Sequence, residues 1–214
     1  MLSFDAEVLS LLFAQMNRAL WPGQLLFGAA ALGALWLVMT GRPLATRGAG
    51  AVLVAAWLCS GLVFHLYYFA GLSFTAPAYG ALFLLQAALL TWSLLIRGRT
   101  VLGFQSGLTA WAGLLAMAYA VIVVPELALL RGEPATARAF GLAPGPTAVF
   151  TLGLLLMAPL RCPLHLLVLP AIWCFVAGAT AWTLWIPEDL ASPVIAVLLL
   201  AVAVRHNRRP AVRF

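Results

Sequence analysis

The sequence predicts an all-α protein: a polytopic membrane bundle of seven transmembrane helices preceded by a short amphipathic interfacial helix. Three observations carry that prediction. Of 214 residues, 64% are hydrophobic and 8% charged, with a mean hydropathy of +1.06, whereas soluble chains carry roughly a quarter charged residues. Apolar runs near the ~20 residues that cross a bilayer recur along the chain. Charges are also sorted: Asp5, Glu7, Glu126, Glu133, Glu188 and Asp189 fall at one set of alternating run ends, and nine of the twelve basic residues, all arginine, at the other. A single membrane domain accounts for residues 1–214.

Residues 3–20 read as the interfacial helix. Ser3 is the expected cap, with Asp5 and Glu7 in the favourable first turn. Val8, Leu12 and Met16 form an apolar stripe that Leu9, Phe13 and Leu20 widen, while Gln15, Asn17 and Arg18 supply polar positions. Trp21 and Pro22 then turn the chain into a bundle over residues 21–204. Its spans are Trp21 to Thr40, Gly50 to Ala70, Pro77 to Ile96, Leu102 to Pro125, Pro146 to Leu160, Leu166 to Ile186 and Leu190 to Val204. The fifth and seventh are short. Only residues 161–165 separate the fifth from the sixth, so a tight turn is expected there, and fusion of the two gives a six-span alternative. Residues 126–145 form the one long loop. Residues 205–214 make a basic tail.

Over short loops the arginine excess marks the cytoplasmic side. Nine against three places the tail in the cytoplasm and the N-terminus outside, in an inner or plasma membrane. The partner this implies is the bilayer, including anionic headgroups, and not nucleic acid, for which no module is present. Cys59, Cys162 and Cys174 have no paired spacing and predict no disulfide framework.

His65 is the leading candidate for chemistry, because an intramembrane histidine is costly unless paired or facing water. Glu126, Glu188 and Asp189 are expected near it on the acidic side, with Tyr68 beside it and Gln86 and Thr151 deeper. Together these form a proposed entrance for a cation or small molecule. Each has a plainer reading: capping for Asp189, solvation for the other acids, helix-to-helix bonding for Gln86 and Thr151. No cofactor and no metal site is expected. Without lysine a retinal Schiff base is excluded, and His65 and His165 fall at opposite ends of their spans, so they cannot share a haem. Ser60 and His65, five apart, do not meet reliably on a helix.

Several local stretches go further: Asn17-Arg18-Ala19-Leu20-Trp21-Pro22-Gly23-Gln24, Phe64-His65-Leu66-Tyr67-Tyr68-Phe69, Gly80-Ala81-Leu82-Phe83-Leu84-Leu85-Gln86, Gly145 to Leu154, and Pro187-Glu188-Asp189-Leu190. On these the chain resembles domain-of-unknown-function family 6064, uncharacterised bacterial integral membrane proteins, over nearly its whole length. Family members often carry Cys-Pro-Thr-Thr where this chain has Gly145-Pro146-Thr147-Ala148. The resemblance implies membrane architecture and supplies no substrate, cofactor or catalytic residue. Three readings of function follow: a small-molecule or ion transporter; a non-catalytic sensor, assembly factor or partner subunit, for which small residues such as Ala29, Ala30, Gly33 and Ala34 permit a homo-oligomer or a membrane partner; and a membrane-embedded metal-dependent enzyme.

Overall fold

The computed structural model describes residues 4–42, 44–98 and 100–208, apart from the side chains of Pro187 and Glu188. Helix α1 (Ala6–Ala19) is capped by Asp5, whose carboxylate accepts from the Val8 amide at 2.8 Å. The expected cap, Ser3, lies outside the described residues. The predicted stripe holds in part: Leu9, Leu12, Phe13 and Met16 are buried, Leu20 is half-buried and Val8 is exposed. Asn17, expected as a polar surface position, is buried too, because its Nδ2 donates to the carbonyls of Ala135 (2.9 Å) and Ala137 (2.7 Å). Those two bonds fasten α1 to the loop before α6.

Five helices are long and apolar enough to cross a membrane: α2 (Gly23–Thr40), α3 (Ala45–Gly71), α4 (Ala76–Ile96), α5 (Leu108–Leu130) and α7 (Leu164–Leu184). Between and after them come α6 (Pro144–Leu155), a single turn at Pro187–Leu190, and α8 (Ser192–Arg208). Helix α3 switches to π-helical winding over Ser60–Tyr68, and α4 and α5 do so over Thr91–Ile96 and Tyr119–Val123. Such bulges rotate the residues beyond them relative to a regular helix.

Three expected boundaries are corrected. The fourth span does not begin at Leu102. Residues 102–104 are extended and are held by neighbouring elements: the Leu102 amide donates to Thr46 Oγ1 (2.8 Å), Gly103 to Met157 (3.0 Å) and Phe104 to Val38 (3.1 Å). The helix starts at Leu108 and runs past Pro125 to Leu130, so Glu126 belongs to α5 and the long loop covers only residues 131–143. Residues 205–208 continue α8 in place of a tail, and 209–214 lie outside the described residues. The turn expected at 161–165 is present as a helical gap over 156–163 that separates α6 from α7.

The largest departure is α6. Its twelve residues rise only ~18 Å, well short of a ~30 Å hydrocarbon core. Every residue from Phe140 to Ala158 is buried, with α3, α5, α7 and α8 packed around it. A helix that is apolar on all sides belongs in a protein interior. Close packing against α5 is set by two glycines: a Cβ on Gly153 would stand 2.6 Å from the Gly113 carbonyl oxygen. Without side chains there, the two backbones touch.

The helices define two ends. Helix α1, the last turns of α3 and α5, the 131–143 loop, the start of α6 and the Pro187–Leu190 turn share one end, which carries Asp5, Glu7, Glu126, Glu133 and Asp189. The start of α5 and the close of α6 share the other. The main core around Trp57, Phe83, Leu152 and Leu166 fills the bundle. A smaller one, with Leu12, Phe13, Met16, Phe64 and Phe69, sits beneath α1.

Candidate functional site: an aromatic cavity under helix α1

His65 sits on the π-wound turn of α3 with no solvent exposure. Five aromatic rings enclose it: Phe83 and Trp173 with centroids at 4.7 and 4.9 Å, Phe64 at 5.0 Å, Tyr79 at 5.9 Å and Phe69 at 6.1 Å. Neither Nδ1 nor Nε2 has a hydrogen-bond partner, and the Trp173 Nε1 lacks one as well. Buried polar atoms in native folds are overwhelmingly paired, so such orphans ask for an explanation.

Beside this cage lies a cavity of about 70 Å³. Phe64, Phe69, Tyr79 and Trp173 form one wall, Phe13 of α1 covers it, and Arg138, Asp189 and Gly145 line its polar end. Arg138 and Asp189 are a buried ion pair. The guanidinium also stacks on Phe13, 4.8 Å from the ring centroid. The Asp189 carboxylate packs so closely on the first turn of α6 that residue 145 has no room for a Cβ. A carboxylate is favoured at a helix amino terminus. Pro144 and Pro146 suit that turn, since amides there have no helical acceptor. A second hollow of about 210 Å³ lies outward, lined by Ser10, Arg131, Glu133 and Thr136. Phe13, Arg138 and Ile186 line both spaces and stand between them.

The expected entrance is only partly assembled. His65 and Asp189 reach the same end, one behind the aromatic wall and one lining the cavity. Tyr68 is half-buried against the smaller core with its ring on Tyr67. Glu126 is exposed on the last turns of α5 and does not line the cavity. Gln86 is buried in mid-bundle, where its Nε2 donates to the Leu166 carbonyl (2.9 Å) and ties α4 to α7. Thr151 accepts from Trp57 Nε1 (2.8 Å) and donates to the Thr147 carbonyl (2.7 Å). The Glu188 side chain lies outside the described residues. An acidic pocket for a cation is therefore replaced by a charge-balanced pair.

Other polar groups are accounted for by packing. Ser60 Oγ donates to the Gly141 carbonyl (3.0 Å), and Thr147 Oγ1 accepts from the Gly141 amide (2.9 Å), so Ser60 anchors the loop before α6. His165 approaches Ser93 at 3.4 Å. Tyr79, which touches His65, precedes Ser93 by 14 positions on α4, or ~21 Å of helix; the two histidines lie at opposite ends. Among the described residues no cluster of three or more His, Cys, Asp or Glu side chains is placed to hold a metal. Cys162 is buried, which pushes its thiol up to about 11 and keeps it protonated.

Arg138, Phe13 and Trp173 are site residues that sequence reasoning passed over. Arg138 did carry a signal, as one of only three arginines on the acidic side. The others are ordinary apolar positions until the fold brings them together.

Among the described residues the chain is all-helical, and its five membrane-length apolar helices are compatible with a multi-pass membrane protein. The chain belongs to the family of unknown function DUF6064, whose model matches residues 6–213. No curated protein and no solved structure matches it significantly.

Proposed function

We propose that the protein is a membrane-embedded, ligand-binding sensor or partner subunit, with seven crossings, its acidic end outside and its arginine-rich end in the cytoplasm. The carrying observation is a cavity beneath α1 lined by aromatic rings and by the Arg138–Asp189 pair. Below it the bundle axis is filled by Trp57, Phe83 and Leu152, and the deeper polar groups of Gln86 and Thr151 bond to neighbouring helices. A ligand in the cavity bears directly on Phe13 of α1, so occupancy is coupled to the position of that helix.

Seven crossings follow from continuity. Helix α6 is short, yet with its buried flanks the segment 140–158 leads from the acidic end to the opposite one. Irregular backbone at membrane depth is tolerated where protein covers it. At the arginine-rich end Arg42 stacks on Trp36 (4.3 Å) and Arg97 on Trp92 (4.8 Å), the pairing expected of side chains at an anionic headgroup layer. Much of α2 is open to the surroundings: Leu25, Leu26, Leu32 and Trp36 are exposed, and nothing lies within 4 Å of a Cβ built on Gly33. That surface is available to a partner helix or a second copy.

A carrier is the second reading, supported by one feature. Discontinuous helices whose ends lie inside a bundle commonly mark transporter binding sites, and α6 is such a helix. Reconstitution decides. Proteoliposomes loaded with sodium, potassium, chloride or a pH gradient are expected to leak no faster than empty vesicles. Protein-dependent flux would overturn the sensor reading.

A further inference from the structure

We infer that the cavity receives a small, uncharged molecule carrying one hydroxyl group, a short-chain alcohol, and that His65 and Trp173 bind that hydroxyl. The inference rests on the ligand-binding reading above and adds its ligand class and the residues that select it. Four of the five rings enclosing His65, those of Phe64, Phe69, Tyr79 and Trp173, also line the cavity. His65 itself does not line the cavity, so binding at its nitrogens requires that this shared wall turn to join the histidine to the space.

The unmet hydrogen bonds set the chemistry. A neutral imidazole has one donor and one acceptor, and an indole has one donor. His65 and Trp173 together therefore leave two donors and one acceptor without partners. A hydroxyl group offers two lone pairs and one proton, which matches that set. A carboxylate offers acceptors only, and an ammonium offers donors only. Charge points the same way. The polar end of the cavity already holds a balanced pair, Arg138 with Asp189, so a charged ligand would add a buried charge with no counterpart. A volume of about 70 Å³ between Phe13, Phe64, Phe69 and Val176 is under half of the ~150 Å³ that holds a benzene ring, so it takes a short chain and not a ring.

The test uses the full chain in nanodiscs and three small probes of similar size: 2-fluoroethanol, fluoroacetate and 2-fluoroethylamine, followed by fluorine NMR against empty nanodiscs. The alcohol is expected to bind saturably and roughly tenfold more tightly than either ion, the penalty for leaving buried groups unpaired. H65L and W173F are each expected to weaken it by about the same factor, while S106A, at the other end of the bundle, leaves it unchanged. H65L without ligand is expected to melt no lower than wild type, because it removes two unpaired atoms; if it does not fold, W173F decides alone. Equal binding of all three probes, or alcohol binding unchanged in W173F, would overturn the inference and leave only a bound water to satisfy these nitrogens. The sensor reading fails separately: flux through proteoliposomes refutes it whether or not the alcohol binds.

Discussion

Replacing Arg138 by methionine strips the buried ion pair of its cation and keeps most of the side-chain volume. Both partners are nearly inaccessible, with side-chain exposures of 8% and 11%. Breaking a pair buried to that degree costs about 3–5 kcal/mol, because the remaining charge has no counterpart. Two local features reduce the figure. The Asp189 carboxylate left behind still lies on the amino terminus of α6, which contributes about 0.3–1 kcal/mol, and the outer hollow admits water nearby. R138M is therefore expected to lose about 2–4 kcal/mol. D189N is expected to lose less, about 1–3 kcal/mol, since the guanidinium is able to turn toward Glu133 across the hollow that both residues line. In the double variant no buried charge remains, so its cost falls well below the sum of the two, with a coupling of about 2 kcal/mol or more. Unfolding by SDS in mixed micelles, followed through tryptophan fluorescence, measures all three. A loss under about 0.5 kcal/mol in R138M, or strict additivity in the double variant, would show a solvated pair and remove the argument that the cavity is charge-balanced.

Two further outcomes test the packing. Gly153→Ala sets a Cβ against the Gly113 carbonyl oxygen, a backbone atom that cannot turn away, and is expected to cost about 1–3 kcal/mol in the same unfolding assay; a neutral result would mean that α5 and α6 do not touch there. Cys162, in a chain also carrying C59A and C174A, is expected to resist maleimide at pH 7–8 while folded and to react once unfolded. Its thiol is buried and ionises only near about 11, and the thiolate is the reactive form. Rapid labelling of the folded chain at pH 7 would contradict that placement.

The apolar runs and their sorted charges were legible because lipid imposes a length and an orientation on each segment independently of its neighbours. The stripe on α1 was legible for the same local reason. Helix α6 was not, since lipid tails and a protein core are equally apolar, and composition does not tell a span facing one from a segment enclosed by the other. Its shortness was the available hint, together with Pro144, Gly145 and Pro146 at its start. His65 was singled out from the apolar run around it, and it is fully buried, but its cage draws on Tyr79 and Phe83 from α4 and Trp173 from α7. The Arg138–Asp189 pair joins positions 51 apart. Such contacts belong to the tertiary fold. Asp189 was read with its neighbours in sequence and not with its partner in space, so its pairing with Arg138 was not foreseen.

The claim on which the filled core beneath the cavity depends is that α6 is enclosed by protein. A lipid-soluble carbene reagent, photolysed with the native chain in nanodiscs and mapped by mass spectrometry, reads this directly without mutation. The account predicts adducts on the outward positions of α2 and α7, such as Leu25, Leu32, Val168, Ile172 and Phe175, which are all exposed, and none between Phe140 and Ala158. Adducts within Phe140–Ala158 at a yield comparable to α7 would contradict it.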